Sequence, residues 1–382
     1  MISGCRVHIT GSAAADCDGE LLRVAHEYVR ALTDELIGRG GGLVLGVGSE
    51  PTGVSGEPCI FDWTTLEAVA AAGDSAPQGP LLRPERFVGV ASQRGLEKIP
   101  STRAATWGRC RARSDFGLEV APPGWRMAGI IRERQVARGD VLLVLGGGAG
   151  VEHLAEAYRE DGKSVVPVHS ELGALHNDGN GGGTFLHERA LACASQFFRL
   201  RDGCGSAAAR LANLRLSAGT DAHKLASETA DLLDDLRPRP AFYVRLLAAP
   251  HDDFGAVERF FRDVVDVVVE ERGFTPREMG LGKPETAFMN VEIFEALHRA
   301  GLVVVDLTGV RPSCMMELGY ALGRGRRVVV SARKGTQLAF DSDKLATYFW
   351  DDACSPDRQI AEYRDWFDRY SELPPIVAPL QR

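Results

Sequence analysis

The sequence predicts an α/β fold made of two Rossmann-like domains, each a mostly parallel sheet flanked by helices. Three observations carry this. Short aliphatic runs such as VLLVLG at 141–146 and LVVVD at 302–306 are near-continuous apolar strands, the pattern of strands buried on both faces. Each ends in glycine or a polar turn and precedes a segment of helical period, the βαβ order of a parallel sheet. The alternation breaks at RPRP (237–240) and restarts, and 382 residues exceed what one ordinary core holds.

Taken in order, CRVHIT (5–10) is a strand ending at Gly11-Ser12, and 20–38 has apolar residues at helical spacing. Gly40 to Gly42 close that helix, LVLGVG follows as a strand, and 49–84 reads as irregular. FVGVAS (87–92) is a third strand. The Arg-, Gly- and Pro-rich stretch 96–126 shows little periodicity and reads as a functional loop, with Arg109, Arg111 and Arg113 as candidate anion contacts. A helix at 127–138, the strand VLLVLG, a glycine turn, the helix VEHLAEAYRED and the strand SVVPV make a βαβ unit. Residues 169–183 are a loop, and 185–236 read as two or three helices. Beyond the break come a strand at 241–248, helices at 254–272 and 287–300, a strand at 301–306, a helix at 313–324 and a strand at 326–331. The domains are therefore placed at 1–200 and 241–382, joined by a helical linker at 201–240.

Composition narrows the function. With 45% hydrophobic, 25% charged and 7% aromatic residues the chain has the makeup of a packed globular protein. A net charge of −8 disfavours nucleic acid as a partner while allowing a local basic pocket for a small anion. The eight cysteines show neither Cys-x-x-Cys nor zinc spacing, so they read as reduced thiols, and no metal or cofactor is expected. No apolar run approaches 18 residues and the first residues resemble no leader, which predicts a cytoplasmic protein without membrane contact.

Two segments carry candidate chemistry. Gly146 to Gly150 follow a strand and open a helix, where glycines admit positive φ and unpaired N–H groups face an anion. The run matches neither Walker A nor a G-x-G-x-x-G fingerprint, and a tight connection without ligand has the same composition. In the second half, AGLVVVDLTGVRPSCMMELGYALG reads as a buried strand, a loop entered at Asp306, and a helix capped by Ser313. Glu317 then falls near the first turn, where the helix dipole favours its ionised form; the plain reading is a Glu complementing that dipole.

The order of a strand ending in Gly-Ser, an Arg-Glu-Arg (132–134) on a helix, and a strand running into GGGAGVEHL resembles the LOG-like superfamily, which includes phosphoribohydrolases, lysine-decarboxylase-like proteins and SLOG nucleotide-sensing domains. The resemblance implies nucleotide binding by Gly11, Ser12, Arg132, Gly147, Gly148 and Gly150. The enzymes of that superfamily carry Pro-Gly-Gly-x-Gly-Thr-x-x-Glu; here Gly146, Val151 and Leu154 stand at the proline, threonine and catalytic glutamate places.

Asp-Leu-Thr-Gly, Pro312 and Glu-Leu-Gly-Tyr-Ala (317–321) followed by Arg-Arg-Val-Val-Val are similar to the nucleoside 2-deoxyribosyltransferase family, a layout shared by TIR-like domains. The resemblance implies that Glu317 attacks the anomeric carbon, with Asp306 holding a ribose hydroxyl or protonating the base, and Glu292 or Glu295 as lesser helpers. Tyr243, His251, Thr308, Gly309, Arg311 and Ser313 complete the substrate site. Arg311-Pro312-Ser313 replaces the common Asn-Pro-Asn and Met316 a common Tyr, and Arg311 favours a phosphorylated ligand. Together the two resemblances imply a nucleotide N-glycosidase acting on NAD or a nucleoside monophosphate, gated by a nucleotide signal at the first domain. They further imply a homo-oligomer working in bacterial antiviral defence. The rivals are a non-catalytic nucleotide-binding regulator and a salvage or biosynthetic deoxyribosyltransferase.

Overall fold

The computed structural model describes residues 2, 5–73, 85–122, 124, 127–173, 182–201, 206–236, 239–247, 249–272, 274–277, 293–294, 296–298, 300–338 and 345–371. The chain divides into two compact units, Met1–Arg237 and Pro238–Arg382. Each is an α/β unit on a parallel sheet, as the strand-helix alternation predicts.

The first unit runs β1 (Arg6–Ser12), α1 (Gly19–Gly38), β2 (Gly42–Val47), α2 (Asp62–Ala71), β3 (Phe87–Ser92), α3 (Gln93–Leu96), α4 (Ala104–Ala112) and β4 (Phe116–Ala121). It continues through α5 (Met127–Arg138), β5 (Val141–Gly146), α6 (Ala149–Glu160), β6 (Ser164–Ser170), α7 (Gly183–Ala192), α8 (Ala207–Asn213), β7 (Arg215–Leu216) and α9 (Ala222–Asp234). The sheet order is β4-β3-β2-β1-β5-β6-β7. Strand order therefore reverses at β1/β5, the place where an open parallel sheet leaves a crevice at its carboxyl edge.

Local sequence explains the frame. Asp18 caps α1 by accepting the Glu20 and Leu21 N–H groups, and Leu21, Leu22, Ala25, Tyr28, Val29, Leu32 and Leu36 bury one helical stripe. Helix α9 packs on α1, with the Tyr28 and Thr229 hydroxyls 3.0 Å apart inside the joint. The segment expected to be a linker thus contributes core: β7 extends the sheet beside β6, and Leu225, Ala226, Leu232 and Leu233 are buried with the first unit.

Two further expectations change. The irregular 49–84 contains α2, whose Trp63, Leu66, Ala68 and Val69 are buried; a helix covered on several sides has no polar stripe and so no visible period. The expected 96–126 loop contains α4 and the edge strand β4. Two of its arginines have partners within the unit: the Arg113 fork holds Asp115 at 2.8 and 3.1 Å and donates to the Val69 and Ala72 carbonyls, and Arg111 lies over the Trp107 ring, while Arg109 is exposed.

The second unit comprises β8 (Arg239–Val244), α10 (Phe254–Phe260), a π turn (Phe261–Val265), α11 (Asp266–Glu271), β9 (Phe274–Arg277), β10 (Leu302–Asp306), α12 (Pro312–Gly323), β11 (Val328–Arg333), β12 (Thr347–Trp350) and α13 (Pro356–Tyr370). Its order is β12-β11-β10-β8-β9, with the wholly buried β10 at the centre. Strand alternation divides the core: Tyr243, Val304 and Trp350 meet Phe260, Phe261 and Tyr363 on one face, while Phe242, Val244, Val303 and Val305 meet Cys314 and Leu318 of α12 on the other. Residues 287–292 of the expected 287–300 helix lie outside the described residues.

Candidate functional site

In the first unit the crevice at β1/β5 is made of backbone. Register pairs Gly11 with Leu145 and Ser12 with Gly146. Gly11 has φ 151°, and an added Cβ would run into the Leu145 carbonyl, so only glycine permits this approach. Gly146 and Gly147 follow at φ 66° and 77°, and the Gly147 N–H donates to the Ser12 carbonyl at 2.7 Å. Helix α6 then starts at Gly148 with no side-chain cap. Arg132 of α5 reaches over that start: its Nη1 is 3.1 Å from His153 Nδ1, and its Nη2 stands 3.4 Å from where a Cβ on Gly150 would be. A guanidinium beside the positive end of a helix is electrostatically unfavourable unless an anion lies between them. The structure thus gathers Gly11, Ser12, Arg132, Gly147, Gly148 and Gly150. Leu154 is buried in the core, so no carboxylate stands at that place.

The second crevice lies at the carboxyl end of β10. Arg311 is the N-cap of α12 by its extended backbone, and Pro312 takes the first helical position, which its fixed φ suits. Ser313 is therefore inside the first turn, not the cap, and Glu317 sits two residues further into the helix than the sequence suggests. Glu317 is half-buried; burial raises its carboxyl above the ordinary range, and the nearby Arg311 charge pulls it back. The environment thus works against ionisation, opposite to the helix-start expectation.

Between β10 and α12, Gly309 has φ 76° and Val310 φ 44°. A β-branched residue in the left-handed region is strained, and such strain gathers where a loop must present groups in a fixed way. His251 lies against this turn, its Nε2 3.0 Å from where a Cβ on Gly309 would stand, and its Nδ1 accepts the Asp253 N–H at 3.2 Å. The Thr308 hydroxyl accepts the Arg333 N–H at 2.8 Å, and the Arg333 fork binds Asp253 at 2.5 Å and Asp352 at 2.7 Å.

Asp306 has no exposed surface. Its Oδ1 accepts the Thr308 N–H at 3.0 Å, and its Oδ2 accepts the Ser331 hydroxyl at 2.8 Å and the Trp350 indole N–H at 2.9 Å. Burial pushes its pKa up and these donors oppose the rise. In this position Asp306 ties the ends of β10, β11 and β12 together. Tyr243 points into the core on the sheet face away from α12, its hydroxyl 2.9 Å from Asp266 Oδ1; alternation along β8 sends Phe242 and Val244, not Tyr243, toward α12. What meets at the surface is one loop-and-helix segment, Gly309 to Glu317, with His251 beside it; Thr308 is itself buried. Glu292 and Glu295 lie outside the described residues. Sequence reasoning passed over Arg333, Asp253 and Asp352; the signal for Arg333 is its place as the first charge after the apolar strand VVVSA. Among the described residues no His, Cys, Asp and Glu side chains converge as a metal site, and no helix is long and apolar enough to cross a membrane.

Comparison with known proteins bears on the first unit. Residues 2–235 match the family described as ATP nucleosidase Cap17-like, N-terminal. The chain belongs to this family. The Cap17-like match covers the glycine loop and Arg132, and leaves Glu317 and the rest of the second unit beyond it. ATP nucleosidase Cap17 of Escherichia coli strain KTE188 and a second Escherichia coli protein of that name are each 28% identical over 177 residues, 46% of this chain. The aligned stretch spans only 34% of those relatives' length. A solved structure described as a fungal multi-domain GH3 β-N-acetylglucosaminidase with a GCN5-related N-acetyltransferase region covers 96% of this chain and 50% of its own at 12% identity; its TM-score of 0.23 carries no structural argument.

Proposed function

We propose that the protein is a nucleotide N-glycosidase in which the first unit binds a nucleotide signal and the second cleaves. The observation that carries this is Glu317: a half-buried carboxyl one turn into α12, beside Arg311, at the carboxyl edge of a central parallel strand. C–N cleavage passes through an oxocarbenium-like state, which a poorly solvated carboxylate stabilises strongly and can capture. Glu317 forms a bond to C1′ as the C1′–N bond breaks; the base leaves with that electron pair and takes a proton. Water then hydrolyses the glycosyl ester. Arg311 holds phosphate, and His251, beside the strained turn, is placed to donate to the ligand.

The first unit supports the other half of the reading. Its uncapped α6 start, glycine turns and Arg132 suit phosphate, while Leu154 leaves it without the carboxylate that the LOG-like enzymes use; this favours an SLOG-like sensing role. The name of the Cap17 relatives makes ATP the first substrate to test, ahead of NAD and nucleoside monophosphates. A cytoplasmic homo-oligomer acting in bacterial antiviral defence is the setting we infer from the pairing of modules.

A second reading, a non-catalytic regulator, is favoured by one observation: Asp306, the carboxyl expected to assist Glu317, is spent on internal hydrogen bonds. Incubation of the full chain with ATP, AMP, NAD and deoxynucleosides, followed by chromatography for free base, decides between them. Base release that disappears in Glu317→Gln supports the glycosidase. No release from any of them, with or without added cyclic nucleotides, supports the regulator, and a new nucleoside formed only when an acceptor base is supplied points to salvage.

A further inference from the structure

We propose that Asp62 reads the ribose of the nucleotide held by the glycine loop, so that the first unit selects ribonucleotides over 2′-deoxyribonucleotides; this rests on the reading of that loop as a nucleotide site. The geometry begins with a split in the sheet. Strands β1 and β2 pair only at Arg6–Gly42, Val7–Leu43 and His8–Val44, although β1 continues to Ser12 and β2 to Val47. On its other side β1 stays paired with β5 as far as Ser12–Gly146. A slot therefore opens between β1 and β2 on the same edge as the glycine loop.

The chain before α2 folds across this slot. Ser12 bridges Ile60, and the Ala13 N–H donates to the Cys59 carbonyl at 2.8 Å. The first residue of α2, Asp62, then enters the slot and accepts the Gly46 N–H. Its Oδ1 lies 2.5 Å from where a Cβ on Gly46 would be, so glycine at 46 is what makes room for the carboxyl. Asp62 is deeply set yet keeps some exposed surface, as a residue on the floor of a crevice does.

Among the described residues no basic side chain pairs with it, and burial pushes its carboxyl up to about 6. The neighbouring cations are committed elsewhere: Arg103 binds Glu50 at 2.6 and 2.8 Å and also Glu67, and His26 lies between the Thr64 hydroxyl at 2.6 Å and the Pro58 carbonyl at 2.8 Å. A carboxyl with open acceptor positions and no cation suits hydroxyl donors, and vicinal ribose hydroxyls supply two. Adjacent strands lie about 4.8 Å apart, so the slot is on the order of 7 Å from the end of β5, a span that a 5′-nucleotide covers from phosphate to ribose edge. An acidic residue on the strand beside a glycine loop reads ribose by the same logic in dinucleotide-binding sheets.

Isothermal titration of the full chain, in a Glu317→Gln background to prevent turnover, with ATP against 2′-dATP and AMP against 2′-dAMP tests this. Each ribonucleotide is expected to bind at least about tenfold tighter than its deoxy partner, the worth of one charge-assisted hydrogen bond. Asp62→Asn and Asp62→Ala should bring each pair within about twofold, and Arg132→Ala should weaken both members equally, marking the signal as the first unit's. Equal binding of ribo and deoxy ligands by the Asp62-intact chain, or a preference that survives both Asp62 substitutions, overturns the assignment of Asp62 and leaves the nucleotide site standing. Absence of binding by all four nucleotides overturns both.

Discussion

The two crevices share a design and differ in what fills it. Each lies at the carboxyl edge of a parallel sheet, and each has a helix, α6 or α12, that starts without a side-chain cap and with an arginine beside it. Helices α1 and α9 begin differently, with Asp18 and Asp221 satisfying their first N–H groups. In the first unit the groups around α6's start are glycine backbone and Arg132, with the buried Leu154 at the place of the LOG-like enzymes' glutamate. In the second a half-buried Glu317 shares the helix with Arg311. Backbone donors and a cation hold an anion without changing it; a poorly solvated carboxyl beside a cation-held phosphate can react with the sugar between them.

Several measurements break or sharpen that contrast, and the largest effect is chemical. Glu317→Gln is expected to reduce base release by about a thousandfold or more, the usual loss when a nucleophile is removed, with no fall in the thermal midpoint. Equal loss from a first-unit substitution that leaves nucleotide binding intact would place the chemistry in the wrong crevice.

Next come two tests of structure. Gly11→Ala forces a Cβ against the Leu145 carbonyl at the β1/β5 seam and should cost roughly 3–5 kcal/mol, read as a lower urea midpoint. Asp306→Asn turns an amide toward one of three donors and should destabilise the second unit by about 2–4 kcal/mol. If it spares stability and removes only activity, Asp306 belongs to the reaction after all.

The last tests are titrations of opposite sign. His8 is buried, 3.2 Å from the Tyr158 hydroxyl, and its pKa falls to about 3 from an ordinary 6.5. Below pH 6.5 the unfolded chain binds a proton that the folded chain refuses, so stability is lost as pH falls toward 3, at about 1.4 kcal/mol per pH unit. Urea midpoints from pH 7 to 4 should show this slope and His8→Phe should flatten it. Asp62 runs the other way: with a folded value of about 6 against an ordinary 3.8, its contribution is present at low pH and lost as pH rises through 6. Asp62→Asn should therefore stabilise the chain by about 1–2 kcal/mol at pH 8, allowing for partial solvent screening, and by nothing measurable at pH 4.

Legibility in the sequence followed packing. Strands buried on both faces, β5 and β10, and the amphipathic helix α1 announced themselves because their neighbours along the chain share their environment. Helix α2 did not, since it is covered on several sides and loses its stripe, and α4 did not, because only Thr106 and Cys110 of its residues are buried and exposed Arg109 and Arg111 interrupt any apolar period. At the sites, the glycine loop and the Thr308 to Glu317 segment were readable because each is a single stretch of chain. The fates of Asp306 and Tyr243 were not, because they depend on Trp350, Ser331 and Asp266, which lie far away in sequence.

By itself the sequence determined that two parallel sheets form and where glycine or charge interrupts them, since strand burial and backbone freedom are local properties. Only the tertiary structure decided which polar groups face solvent at those interruptions. It sank Asp306 into a hydrogen-bonded joint, turned Tyr243 into the core, and opened β1 from β2 around Asp62. The reason is physical: a side chain's chemistry depends on its desolvation and its partners, and both are set by residues brought near only when the sheets close.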